Sequence, residues 1–197
     1  MITNQDRSKW FGASDTATIM GNWETETFKQ WWLVKLGLYR NTYKTWAMDC
    51  GNIMEIPIIR AIEEQEKRKI WLGKIPLYNP ILRLRCNYDG LTKEEVIEIK
   101  TMGKSFAKVP KHYWQQCQVL MYKARKKKTG LYAYLMTESD YLNPYFPDID
   151  YKRLKRHEIL YDEQFITKEY LPRLKYLAKC LKQRRFPVVS EYEQRHY

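Results

Sequence analysis

The sequence predicts a mixed α/β domain, with a central sheet flanked by helices. Three observations carry this. Helix-patterned segments come first, then a meander of strand-like runs, then a helix, a strand and a closing helix. The runs 81–89 and 95–101 alternate in side-chain character with the period of two that a strand requires. The chain of 197 residues is long enough for one sizeable core, so residues 1–197 are expected to form one domain.

Taken in order, residues 7–21 read as a loop leading into a short helix, capped by Ser14 or Asp15 and ended at Gly21. Residues 25–38 form a second helix, with Phe28, Trp31, Trp32 and Lys35 at helical spacing and Gly37 weakening its end. Residues 46–69 read as a longer helix with Met48, Ile53, Met54, Ile58, Ile59 and Ile62 on its apolar side. Pro57 lacks an N–H, which predicts a start near Asn52 or a kink. The charged tail from Glu63 to Lys69 reads as a solvated helix end. A short strand is expected over 74–78, bounded by Pro76 and Pro80. Along 81–89, Leu82, Leu84, Cys86 and Tyr88 take one face, and Arg83, Arg85, Asn87 and Asp89 the other. The Val-Ile-Glu-Ile centre of 95–101 suits a buried strand. Residues 112–128 form a helix with a core stripe of Trp114, Cys117, Leu120, Met121 and Ala124, stopped by Gly130. A strand over 131–136, a Pro-containing loop over 143–150, a short strand opening at Ile159 and a last helix over 162–185, broken or begun near Pro172, complete the chain.

Lys and Arg total 35 against 23 Asp and Glu, a formal excess of +12 that favours a polyanionic partner, most commonly nucleic acid. Cys50, Cys86, Cys117 and Cys180 form no C-x-x-C pair, which argues against a zinc or iron–sulfur cradle and for reduced thiols in a cytoplasmic protein. Residues 1–7 lack the apolar core of a signal peptide, and no apolar run approaches the ~18 residues of a membrane span.

Glu98 and Lys100 lie at i and i+2, so they share one strand face, while Ile97 and Ile99 take the other. A short hairpin brings Asp89 beside them. Two carboxylates and an ammonium at one point suit a divalent metal and an activated water, the D…E-x-K arrangement of metal-dependent nucleases. Asp89-Gly90 is also a hairpin signal in its own right, and taken alone the pair favours a turn. Charged residues are depleted inside sheets, however, so Glu98 and Lys100 call for a partner or a task unless the strand is an exposed edge. Glu55 lies in an apolar helical stretch that argues for a partly buried carboxylate. Tyr113 and Gln116 share a helical face, though spacing alone reads them as polar decoration. Lys104, Lys108 and Lys111 flank the site and suit a phosphate backbone or plain solvation. Asp148 and Asp150 read as a polar loop.

These residues resemble a known family. Arg7-x6-Ser14, Gly51-x3-Glu55, Asp89-Gly90, Glu98-Ile99-Lys100 and Tyr113-x2-Gln116-x-Gln118 follow, in order, the motifs of the YqaJ-type viral recombinases, relatives of lambda exonuclease. The resemblance implies the PD-(D/E)XK nuclease fold. It also implies Mg²⁺-dependent degradation of one strand of double-stranded DNA from the 5′ end, with Mn²⁺ able to substitute and one or two ions bound. A 3′ single strand would remain for a partner annealing protein. By position, Asp89, Glu98, the Ile99 carbonyl and Glu55 (directly or through water) would hold the metal. Lys100 would orient or activate water, and Gln116 would hold the metal-bound water or the scissile phosphate. Arg7 and Ser14 would receive the terminal 5′-phosphate, with Asn87 standing where a third contact falls. A homotrimer ring and a phage or prophage origin, in the cytoplasm of a bacterial host, are further implications. The competing readings are an endonuclease of the same fold and a DNA-binding or inhibitor protein on a retired nuclease scaffold.

Overall fold

The structure, a computed structural model, describes residues 8–40 and 42–194. Its helices are α1 (Thr16–Met20), α2 (Glu26–Leu36), α3 (Trp46–Glu66), α4 (Lys111–Ala124), α5 (Glu138–Leu142), α6 (Leu171–Lys182) and α7 (Val189–Glu193). Its strands are β1 (Trp71–Leu72), β2 (Leu77–Asn79), β3 (Leu84–Cys86), β4 (Gly90–Leu91), β5 (Glu95–Met102), β6 (Lys128–Leu135) and β7 (Leu154–Leu160). Five strands form one mixed sheet in the order β1-β4-β5-β6-β7, and β2 and β3 form a separate antiparallel pair. Only β5 and β6 run parallel, and α4 makes the crossover that a parallel pair requires.

The sheet buries both faces. On one side Ile97, Ile99, Tyr132 and Tyr134 pack against Cys50, Met54, Ile58, Ile59 and Ile62 of α3. On the other side Val96 and Leu131 join the apolar residues of α2, α4 and α6. The alternation read along 95–101 therefore separates two cores, and the central sheet flanked by helices is as predicted.

Local chemistry explains most element ends. Thr25 caps α2 by accepting the Phe28 N–H (3.2 Å), and Gly37 ends it at φ +73°, a left-handed conformation that favours glycine. Pro172 lies where a π-helical stretch, Phe165–Tyr170, runs without a break into α6.

Several expectations are corrected. Helix α3 begins at Trp46, with Thr45 as its cap, and not near Asn52; Pro57 lies inside it, the loss of one N–H being offset by packing of the whole apolar side. Its tail is not simply solvated: Glu66 accepts from the Tyr132 and Tyr151 hydroxyls, and Arg68 pairs with buried Glu95, which Arg156 holds from β7 at 2.8 Å. Asp89-Gly90 is not the hairpin turn. Gly90 already belongs to β4, and the turn lies at Thr92–Glu95, where the Thr92 N–H reaches the Glu95 carbonyl (2.9 Å). Gly90 is required by crowding instead, since a Cβ there would stand 2.5 Å from Ile70 Cγ2. Gly130 does not stop a helix. It lies inside β6, where a Cβ would meet Tyr132 at 3.0 Å, and α4 ends earlier at Arg125. The strand near Pro76 starts after it, at Leu77. The run 81–89 is regular strand only at its centre, and the strand at Ile159 opens five residues sooner, at Leu154. Strand β1 and helices α5 and α7 are too short to leave a period in the sequence. Among the described residues, no helix is long and apolar enough to cross a membrane.

Candidate active site

Strand β5 carries Glu98 and Lys100 on the face towards α4. Lys100 Nζ donates to Glu98 Oε1 at 2.7 Å, and Gln116 Nε2 on α4 donates to the same oxygen. Glu98 is 3% exposed, and its second oxygen, Oε2, is buried without a hydrogen-bond partner among the described residues. Buried carboxylate oxygens are rarely left bare, so this one points to a missing positive or donating group.

Asp89 arrives from the other side. Pairing of Gly90 with Ile97 sets the residue before Gly90 against the next stretch of β5, and Asp89 Oδ2 accepts the Ile99 N–H at 2.6 Å. The N–H and C=O of one strand residue point to the same side, so the Ile99 carbonyl faces the edge that β4 leaves uncovered. Glu55 approaches from α3.

Three acids around one ammonium repel each other in a partly dry site. Burial and, next, the Glu98 charge push Glu55 up to about 7. Burial, then Glu98 and Glu55, raise Asp89 well above the usual carboxylate range. Burial works against the charge on Lys100, but Glu98 and Asp89 outweigh it and hold the ammonium above its ordinary value. Among the described residues, no cluster of three or more His, Cys, Asp or Glu is drawn together as a ready cage. The hard oxygen donors, their mutual repulsion and the bare Oε2 of Glu98 nevertheless fit a divalent cation such as Mg²⁺ or Mn²⁺, which binds few protein oxygens and keeps several waters.

Tyr113 is a neighbour that spacing alone read as decoration. Its ring faces Lys100 Nζ at 5.3 Å from the centroid, and only the turn of α4 against β5 reveals this. Gln118 does structural work, donating to the Leu160 carbonyl (2.9 Å) and accepting the Asp162 N–H (2.7 Å).

The expected phosphate-binding residues are placed unevenly. Arg7 lies outside the described residues. Ser14 is exposed on a 3₁₀ turn, Ala13–Asp15, that packs beside β3. Asp15 does not cap α1 with its side chain. It accepts from the Gly12 N–H (2.7 Å), Trp31 Nε1 (2.9 Å) and buried Lys35 (2.6 Å), which fixes the turn. Asn87 is half-buried, and its amide oxygen has no partner among the described residues. Lys104, Lys108 and Lys111 are exposed. Lys108 and Lys111 line a cavity of about 1330 Å³ with Trp114 and Tyr161, and none of the acids above lines it. Asp148 is exposed, and Asp150 caps a turn through the Lys152 N–H (2.9 Å).

A family model, the YqaJ-like viral recombinase domain, matches residues 4–127, a span that holds Glu55, Asp89, Glu98, Lys100 and Gln116. Solved structures share the fold at low identity. An alkaline exonuclease, LHK-Exo, from Laribacter hongkongensis is 16% identical with a TM-score of 0.64, covering 90% of this chain and 93% of that one. The same exonuclease in complex with dAMP is 19% identical with a TM-score of 0.66, covering 95% and 92%. A phage-related exonuclease from Haemophilus somnus 129PT is 15% identical with a TM-score of 0.65, covering 92% and 96%. No curated protein matches the chain in sequence. The family match spans more than half of the chain, so this protein belongs to the YqaJ-like viral recombinase family and is, with that family, a deoxyribonuclease.

Proposed function

We propose that this protein is a divalent-metal-dependent exonuclease that degrades the 5′-ended strand of linear double-stranded DNA and leaves a 3′ single strand. The observation that carries the reading is Glu98: one oxygen is held by Lys100 and Gln116, and the other is buried and, among the described residues, bare, in a site where Asp89 feels its charge. The family match and the exonucleases that share the fold support it.

Asp89, Glu98 and the Ile99 carbonyl would hold Mg²⁺, or Mn²⁺ in its place, as one or two ions, with Glu55 reaching the metal directly or through water. When bound, the metal lowers the pKa of water and neutralises charge that develops on the phosphate. Lys100, whose Nζ donates to Glu98, would orient or activate the attacking water and steady the phosphate oxygens. Gln116 fixes the Glu98 carboxylate and faces the same water or phosphate. Arg7, Ser14 and Asn87 would receive the 5′-terminal phosphate, whose extra charge over a diester favours an arginine fork. Lys104, Lys108 and Lys111 would follow the DNA backbone.

The proposal extends to residues 1–197 acting as one nuclease domain in the cytoplasm of a phage- or prophage-bearing host. A single-strand annealing protein would take the product, and a homotrimer ring would supply processivity. The test is digestion of linear duplex DNA labelled at either end, with Mg²⁺ and with EDTA, beside closed circular DNA. Metal-dependent loss of the 5′-ended strand with circles spared is expected. Cut circles would make the protein an endonuclease, and tight binding without turnover a retired scaffold.

A further inference from the structure

The β2–β3 hairpin holds a feature that the acids do not explain. From Gly73 to Tyr88 the chain has three basic residues, Lys74, Arg83 and Arg85, and no Asp or Glu. Leu84 and Cys86 turn inward to the core, and Arg85 stands opposite Tyr78 in the strand register. The Arg85 guanidinium lies over the Tyr78 ring, 5.9 Å from its centroid, and that of Arg83 lies 6.0 Å from the Trp10 centroid. Trp10 meets Tyr78 edge-on at 5.6 Å. The four side chains thus form one continuous row: Arg83, Trp10, Tyr78, Arg85. Backbone bonds fix it from behind, the Phe11 N–H to the Arg83 carbonyl (2.7 Å) and the Arg85 N–H to the Phe11 carbonyl (2.8 Å).

Partly buried arginines elsewhere have their charge or donors met. Arg68 and Arg156 pair with Glu95, Arg153 with Asp140 and Arg185 with Glu191, while Arg173 donates to the carbonyls of Ile19 and Gly21. Among the described residues, neither Arg83 nor Arg85 has a carboxylate partner, and Arg85 Nε is buried without an acceptor. A partly dry guanidinium with no anion is a cost to the isolated protein. An anion brought by a ligand would remove the cost.

The row also leads to the site. Four residues of chain separate Arg85 from Asp89, so their Cα atoms lie within about 14 Å of each other at the reach of an extended chain. That distance is about four steps of rise along one DNA strand.

We propose that Arg83 and Arg85 bind backbone phosphates of the DNA, on the stretch within about four nucleotides of the scissile bond. Trp10 and Tyr78 serve as stiff backing rather than as base-stacking platforms, because the arginines cover their faces. The inference rests on the nuclease reading and adds to it a phosphate grip separate from the 5′-terminal pocket.

The test uses Arg83→Met, Arg85→Met and the double variant of the full chain. Binding of a short blunt duplex is followed by fluorescence anisotropy in EDTA across a salt series, and the melting temperature is measured beside it. Each single variant is expected to weaken binding about tenfold, and the slope of log K against log salt to fall by about 1 per arginine. Melting temperature should hold or rise, since methionine fills the space without an unpaired charge. Unchanged affinity and slope would overturn the proposal. So would a lost melting temperature that accounts for the weaker binding, because the arginines would then be structural. Wild-type protein that binds and cuts while the variants match it sinks this inference alone. Wild-type protein that fails to bind DNA sinks the nuclease reading with it.

Discussion

Gln116 and Lys100 donate to the same oxygen of Glu98, one from α4 and one from β5, so Glu98 is fixed by two elements while its other oxygen stays bare. The first prediction follows from this arrangement. Gln116→Leu should lower kcat by about 10- to 100-fold and raise the Mg²⁺ concentration needed for half-maximal activity, with far-ultraviolet circular dichroism unchanged. A Mg²⁺ titration of strand degradation reads both numbers. Wild-type kinetics would show that the bond to Glu98 has no part in the reaction.

Tyr113 gives a second prediction, because its ring is the apolar face against which the Lys100 ammonium rests. Tyr113→Leu should cut kcat by about three- to tenfold, and Tyr113→Phe should stay near wild type. Equal losses in both variants would place the effect on the hydroxyl instead.

The repulsion among Glu55, Asp89 and Glu98 predicts how pH and metal act on stability. Glu55 ionises near its ordinary value when unfolded but only near about 7 in the native site. Between those values the native state binds more protons than the unfolded one, so stability falls as pH rises. Thermal melting in EDTA should show this decline, and Glu55→Gln should flatten it. Mg²⁺ should restore most stability above pH ~7, where Glu55 is charged, and Asp89→Asn should abolish that gain. A melting temperature indifferent to Mg²⁺ at every pH would count against a metal site here.

The turn that carries Ser14 is predicted to fail in acid. Burial raises Asp15, but Lys35, the Gly12 N–H and Trp31 outweigh it and hold the carboxyl below its ordinary value. Its contribution is therefore full above the ordinary aspartate value and is lost as pH falls through the lower native one. Asp15→Asn should destabilise by about 3 kcal/mol at neutral pH, because Lys35, 3% exposed at its side chain, is left as an uncompensated charge. Adding Lys35→Met should recover much of it. Chemical denaturation of the wild type and these two variants distinguishes this from a simple loss of packing.

What the sequence makes legible depends on how local the cause is. Glu98 and Lys100 stand out because strand periodicity puts two charges inside an otherwise apolar run, and the caps of α2 follow from Thr25 and Gly37 themselves. Gly90 and Gly130 mislead for the opposite reason. Ile70 crowds Gly90 from twenty residues away, and Glu95 and Arg156 join the nearby Tyr132 ring in crowding Gly130. Tyr113 against Lys100 and Arg85 over Tyr78 are equally invisible, since each needs two elements to meet. Pro57 inside α3 shows a local rule overridden by the packing of a whole helix face.

The crossover from β5 through α4 to β6 has a consequence for how the protein comes together in time. The bonds that define the reacting centre span short stretches of chain: 2 residues for Lys100 to Glu98, 10 for Asp89 to Ile99 and 18 for Gln116 to Glu98. Closing such loops is entropically cheap and fast. Glu55 and the Ser14 turn come from well outside that segment. The centre can therefore form as an early nucleus, and the N-terminal helices close over it later.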